Sequence, residues 1–225
     1  MNEKDLMNEK DTINENQSIF ERIKYYLIKP NKFFQNYKEN PKVAIHLIIL
    51  LIISSITAVI TKNKAMSAVD ENFGGLSGQE LESVKNITNI VTSPAAIILM
   101  TIVFSIITYL LFALFRYIFV KLVHGEGRFK QMFAIVLVTS YPVTIVALIK
   151  SFLPLDAEVS MLDSFLSKVN IFSIWQLVLL IIGMSVVFNI SKKKSIIINI
   201  VIFLVSLSFI LGGTYLNSMA TTMIQ

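Results

Sequence analysis

The longest apolar stretch of the chain is PAAIILMTIVFSIITYLLFALFRYIFVKLV, residues 94–123. A helix rises about 1.5 Å per residue, so roughly 20 apolar residues cross the hydrocarbon core of a bilayer. Ser93 and Pro94 supply a helix N-cap and a proline at the first helical position. Gly125 and Gly127 are expected to end the helix. The stretch therefore predicts one transmembrane helix.

Four more apolar stretches of similar length lie on either side of this one. They are residues 43–61, 132–153, 171–190 and 196–216. Three lysines at 192–194 separate the last two stretches, and so short a link predicts an antiparallel helix hairpin. The sequence thus predicts an all-α polytopic membrane protein with five transmembrane helices and N-terminal interfacial helices.

The remainder of the chain divides by polarity. We expect a disordered cytoplasmic tail over residues 1–17, amphipathic interfacial helices over 18–40, a five-helix membrane domain over 41–217 and a short external tail over 218–225. Two outer loops carry apolar residues at helical spacing, over 81–91 and 159–169. These loops predict short helices that rest on the outer surface.

The segment before the first span predicts two short helices. Ser18 and Glu21 fit a capping box, Pro30 stops the first helix, and Asn31 can cap a second helix that carries Phe33. Basic amphipathic helices with aromatic faces lie in the membrane interface. Interfacial anchoring is the favoured interpretation, and a docking surface for a cytoplasmic partner is the alternative.

The overall composition points to the same class of protein. Hydrophobic residues make up 54% of the 225 residues and charged residues 16%, with a mean hydropathy of +0.67. An ordinary soluble domain carries about 25% charged residues, so this composition argues against a soluble enzyme. The absence of cysteine excludes disulfides and thiolate metal sites, and with only two histidines a histidine metal cluster is not expected.

Lysine and arginine accumulate on the cytoplasmic side of membrane proteins. The N-terminal region holds eight of these residues, the link between the second and third spans four if Arg116 is included, and the link between the fourth and fifth spans three. The first loop holds three, the third loop two, and the C-terminal tail none. This asymmetry predicts a cytoplasmic N-terminus and an external C-terminus. The net charge of +5 then reflects contact with anionic lipid head groups rather than with nucleic acid.

Sequence motifs for catalysis and transport are missing. There is no P-loop, dinucleotide fingerprint or hydrolase motif, and no Asp, Glu or Lys lies deep in a span. His46 is close enough to the start of its span to reach the interface. Arg116 is expected to snorkel to the head groups, with a buried functional charge as the alternative. Pro142 predicts a kink that is static or a hinge, and the span serines and threonines are expected to bond between helices.

Three groups of residues, in order along the chain, carry a family resemblance. They are IKPNKFF (28–34) with ENP (39–41), GEGRFKQ (125–131) with SYP (140–142), and IWQLVL (174–179). Because these groups keep this order and this spacing relative to the spans, the chain resembles the Yip family. The members of this family are membrane proteins named for interacting with Ypt/Rab GTPases. The signature positions that the resemblance implies are Pro30, Phe33, Pro41, Gly125, Gly127, Phe129, Pro142 and Trp175.

The resemblance implies five spans, a cytoplasmic N-terminus and no catalytic residues. Eukaryotic relatives act as Rab adaptors in vesicle trafficking. The composition here, rich in Lys, Asn and Ile and free of Cys, predicts a bacterial member without a Rab cycle. Some bacterial members resemble accessory partners of ABC exporters. We therefore expect a non-enzymatic adaptor or accessory subunit of a complex in the cell membrane, such as an ABC exporter or an envelope-stress system.

The candidate docking residues are Arg128 and Lys130 in the link that follows the second span. The expected partners are the lipid bilayer and either another membrane protein or further copies of this chain. No cofactor, metal or nucleic acid is expected. The alternative function is a small transporter or channel that acts as an oligomer, and an intramembrane enzyme is a third, weaker hypothesis.

Overall fold

The computed structural model of the chain describes residues 18–69, 92–153 and 161–224. Within these ranges the regular structure is helical and contains no strand, which confirms the all-α prediction. The helices are α1 (Ile19–Ile28), α2 (Pro30–Glu39), α3 (Val43–Val69), α4 (Pro94–Leu122), α5 (Phe129–Ser151), α6 (Met161–Lys168), α7 (Ile171–Val187) and α8 (Lys192–Ile224).

Five helical stretches are long and apolar enough to cross a membrane, as the sequence predicts. They are Val43–Lys62, Pro94–Leu122, Phe129–Ser151, Ser164–Val187 and Lys192–Leu216. Ser93 caps α4 as expected, because its Oγ accepts the Ala96 N–H at 3.3 Å. The expected N-terminal tail (1–17) and the outer helix at 81–91 lie outside the described residues.

One predicted boundary near the C-terminus is wrong, and the last helix is longer than its predicted span. The three lysines at 192–194 form the first turn of α8 instead of a link. The chain turns earlier, because Asn189 adopts a left-handed conformation with φ 53° directly after the cap of α7. The expected external tail over 218–225 is helical as far as Ile224, since α8 continues past the apolar stretch.

The centre of the bundle is α5. Nine consecutive residues, Met132 to Ser140, are buried, and α5 packs against α2, α3, α4 and α7. Its apolar composition does not select this position, because a span that faces lipid is apolar on all sides as well; the four helices that pack around α5 place it at the centre. Helix α8 lies at the periphery, where it packs on α4, α6 and α7.

The N-terminal hairpin, α1 with α2, differs from its prediction. Pro30 is the first residue of α2, so Asn31 lies inside the helix and does not cap it. The fixed φ of proline suits a first helical position, where no N–H is needed. Phe34 in α2 is 0% exposed and packs beside Gly183, so α2 lies in a groove between α5 and α7. Only α1 keeps an apolar face outward.

The outer helix expected over 159–169 is present as α6. It packs against α8, and Ser164 Oγ lies 2.9 Å from Thr214 Oγ1. The packing gives α6 a protein neighbour in addition to any contact with the membrane surface.

Candidate docking surface at the basic end

Two links meet at one end of the bundle. The first joins α4 to α5 and covers residues 123–128, and the second joins α7 to α8 and covers residues 188–191. The Glu126 N–H donates to Phe188 O at 2.9 Å, and Lys194 Nζ donates to Val123 O at 3.3 Å. The two links are therefore fixed to each other.

The end of α4 explains the first signature glycine. Gly125 N–H donates to Val120 O at 2.9 Å and His124 N–H to Lys121 O at 3.0 Å, the bonding pattern of a Schellman cap. The left-handed residue of this cap is His124, with φ 63°, so the expectation that glycines alone end the helix is corrected. Gly125 is needed for space, because a Cβ there would lie 2.3 Å from Val120 Cγ1.

The second signature glycine, Gly127, combines a conformational and a spatial requirement. Its φ of 101° lies in a region that side chains rarely adopt. A Cβ at this position would lie 3.0 Å from the ring of Phe188 and 2.8 Å from Gln131 Oε1. The close approach of the second link therefore requires glycine here.

Gln131 connects these links to the N-terminal hairpin. Its Oε1 accepts the Arg128 N–H at 2.7 Å and so caps the start of α5, while its Nε2 donates to Lys38 O in α2. In the sequence, Gln131 stands out only as the last residue of the GEGRFKQ motif. Its role depends on a contact across 93 residues that no local pattern reveals.

We call this surface, formed by residues 121–131, 188–194 and the end of α2 at Lys38, the basic end. Both predicted docking residues, Arg128 and Lys130, are exposed there. The structure adds further exposed cations that the sequence analysis had not grouped with them. They are Lys38, Lys121, Lys192, Lys193 and Lys194. Exposed carboxylates at this end include Glu39 and Glu126.

Aromatic side chains support the basic end from within the bundle. Phe129 packs edge-to-face on Tyr117 with ring centroids 5.7 Å apart and stacks on Phe133 at 6.2 Å. Tyr117 also meets Phe188 edge-to-face at 6.3 Å. The signature residue Phe129 thus anchors the first link to α4 and α5.

The remaining signature residues lie outside the two links. Phe33 packs edge-to-face against Tyr26 and Phe34, with centroids 5.3 Å apart in both cases. Pro41 lies between α2 and α3, where its carbonyl accepts the Val43 N–H at 3.0 Å. Trp175 lies in α7 near its start, the opposite end from Val187 and the second link.

Pro142 and its neighbour Tyr141 tie two other helices to α5. Proline has no N–H, so the carbonyl of Val138 four residues earlier loses its helical donor. Tyr26 in α1 supplies one, because its hydroxyl donates to Val138 O at 3.1 Å. The Tyr141 hydroxyl lies 2.9 Å from His46 Nδ1 in α3, so His46 contacts α5 instead of being left free to reach the interface.

The span serines and threonines were expected to form hydrogen bonds between helices. Thr139 and Ser140, the two residues before Tyr141, bond within their own helix instead. Thr139 Oγ1 and Ser140 Oγ both donate to Val136 O in α5 itself, at 3.2 Å and 2.7 Å. Short hydroxyl side chains often bond back to their own helix in this way. Ser195 does bond between helices, donating to Ile181 O at 2.7 Å.

A second polar site lies inside the bundle. Arg116 Nε donates to Asn199 Oδ1 at 3.3 Å, and its Nη1 donates to Phe112 O at 3.2 Å. Asn199 is fully buried and donates to Ser195 O at 2.9 Å. The guanidinium therefore points back along α4, away from the nearer helix end, which contradicts the snorkelling interpretation. Asn199 is neutral, so it does not stand out among the ionisable residues of the spans.

In the part of the chain that the structure describes, no three His, Asp or Glu side chains come together in a group that could hold a metal ion. No curated protein and no solved structure significantly matches the chain. A family model described as the Yip1 domain matches residues 24–214. This match includes the N-terminal hairpin from Lys24, both links of the basic end, the first four apolar spans and the fifth span as far as residue 214. The chain is therefore a multi-pass membrane protein that belongs to the Yip1 domain family.

Proposed function

We propose that this chain is a non-enzymatic adaptor or accessory subunit of a larger membrane complex, such as an ABC exporter or an envelope-stress system. Its work is to hold a membrane-protein partner through the basic end. The observation that carries this proposal is the fixed geometry of that end, where exposed cations stand on two links that are bonded to each other.

Preorganisation is the physical reason why this surface suits a docking role. A flexible loop loses conformational freedom when it binds, and that loss reduces affinity. Here the backbone of Arg128 is fixed by Gln131, which also bonds to Lys38 O in α2. The surface needs little reordering on binding, and its net positive charge favours an acidic patch on a cytoplasmic partner.

The alternative function, a small transporter or channel, finds less support in the packing. The centre of the bundle is occupied by α5, whose residues Met132 to Ser140 are buried against the surrounding helices. A conducting path between α5 and its neighbours would need space that these side chains fill. Transport would therefore have to use an interface between copies.

The orientation that goes with this proposal has the N-terminus in the cytoplasm and the C-terminus outside. The basic end then faces the cytoplasm, where the positive-inside rule places it. We expect an alkaline phosphatase fused after Gln225 to be active and a fluorescent protein fused there to be dark. The reverse pattern would refute the five-span orientation.

The docking role is tested by affinity purification from native membranes in mild detergent. The double variant Arg128→Ala, Lys130→Ala should lower recovery of a stoichiometric partner by about tenfold, because buried interfacial charges are worth about 1–3 kcal/mol together. Both side chains are exposed, so folding should be preserved.

The matched control is Lys150→Ala, an exposed lysine at the other end of α5. It should leave recovery unchanged. Equal recovery with the double variant would exclude Arg128 and Lys130 as the docking residues. A lone homo-oligomer that moves a substrate across liposomes would overturn the adaptor function itself.

A further inference from the structure

Arg116 is a membrane-embedded charge with incomplete bonding. Its guanidinium carries five N–H donors. Among the described residues it bonds only Asn199 Oδ1 and Phe112 O, both of them neutral acceptors. Arginine keeps its charge in proteins, so Arg116 is a cation whose neighbours do not neutralise it.

The membrane-spanning segments of α3, α4, α7 and α8 supply no carboxylate to neutralise Arg116. Residues 43–69 and 94–122 contain no Asp or Glu, and neither does any residue from 164 to 225. Glu126 lies in the exposed first link, beyond the end of α4. The site therefore has an excess of positive charge in apolar surroundings.

The position of Arg116 decides which anion can reach it. It lies six residues before the end of α4 at Leu122, which corresponds to about 9 Å along the helix. The bond to Phe112 O directs the guanidinium farther from that end. A carboxylate on a neighbouring membrane-spanning helix can lie at this position along α4 and meet the guanidinium directly.

The surface around Arg116 is open to such a helix. Arg116 itself is only partly buried. Phe112 and Phe115 of α4 and Ile196 and Ile200 of α8 are large apolar side chains exposed on the outside of the bundle. These side chains make the outer surfaces of α4 and α8 apolar on either side of the Arg116 guanidinium.

We propose that α4 and α8 bind a transmembrane helix of a partner protein that carries a membrane-embedded Asp or Glu, and that this carboxylate pairs with Arg116. The partner helix is not a span of a second copy, because the spans of this chain have no carboxylate. This inference rests on the proposed function and names the chemistry by which the partner is held within the membrane.

The defined probe is a pair of lysine-flanked polyleucine transmembrane peptides with one Glu, or one Gln, about two turns from the end. Binding to the full chain is measured by energy transfer in phosphatidylcholine nanodiscs. We expect the Glu peptide to bind at least about tenfold more tightly than the Gln peptide. The preference should disappear in Arg116→Gln and persist in Lys121→Gln, which removes a cation from the same helix.

Two outcomes of this experiment overturn the inference. One is equal affinity of wild-type chain for the two peptides. The other is loss of the preference when phosphatidylglycerol replaces phosphatidylcholine, which would identify a lipid phosphate as the anion. Arg116→Gln keeps a side chain that can bond Asn199, and circular dichroism of the variant checks that it folds.

Purification of the native complex separates this inference from the proposed function. If wild-type chain captures a stoichiometric partner and Arg116→Gln captures it equally, the inference fails and the adaptor function stands. If wild-type chain captures no partner, the adaptor function fails. Support requires that Arg116→Asp releases the partner and that exchange of the partner's carboxylate for Arg restores capture.

Discussion

Phe34→Ala should destabilise the protein more than any other single truncation in the N-terminal hairpin, by about 3–5 kcal/mol. The side chain is 0% exposed, and its ring lies against the position of Gly183 in α7. Truncation leaves a cavity between α2, α5 and α7 that the rigid backbone of a membrane bundle fills poorly. The loss is measured as a lower SDS fraction at the midpoint of unfolding, followed by circular dichroism.

The matched control is Phe20→Ala in α1. Phe20 is 76% exposed, so its truncation should change the free energy of unfolding by less than about 0.5 kcal/mol. If Phe34→Ala unfolds at the same midpoint as the control, α2 is not packed in the bundle and the interfacial prediction for α2 would be restored.

Gly127→Ala should cost about 2–4 kcal/mol, the second largest effect expected. The new Cβ must accept a φ of 101° and lie 3.0 Å from the ring of Phe188, which is fully buried and cannot move freely. Because Phe188 belongs to the second link, its displacement should also reduce partner recovery. Both the midpoint of SDS unfolding and the recovery of the partner are measured.

Gly212→Ala is the control for this substitution. A Cβ at Gly212 meets no atom within 4 Å, and the residue lies inside α8. Alanine there should be neutral or stabilise the helix by up to about 1 kcal/mol. A Gly127→Ala protein that unfolds like Gly212→Ala would mean that the two links do not pack as closely as described.

The sequence predicts the spans well because hydropathy is a local property. Each span satisfies its own backbone hydrogen bonds and needs only its own side chains to be apolar. The same holds for the cap at Ser93, which depends on neighbours within three residues. These features could therefore be located without knowledge of the fold.

The contacts between distant segments could not be predicted in this way. Amphipathic composition assigned α2 to the membrane interface, yet Phe34 lies in a groove made by helices more than 90 residues away. No local sequence pattern marks Asn199 as a functional residue, because its role depends on the hydrogen bond from Arg116 in α4. The two glycines were correctly singled out, but their reason, the close approach of Phe188 and Val120, belongs to tertiary structure.

The packing of α2 also sets the order in which the protein can be assembled. The N-terminal hairpin leaves the ribosome first, but the groove that receives Phe34 is lined by α5 and α7, which are synthesised much later. Until α7 has been inserted, α1 and α2 have no completed protein surface to bind. The helices made earliest thus cannot dock until α7 is in place, and this interval gives a chaperone or a partner subunit time to act on a still-open bundle.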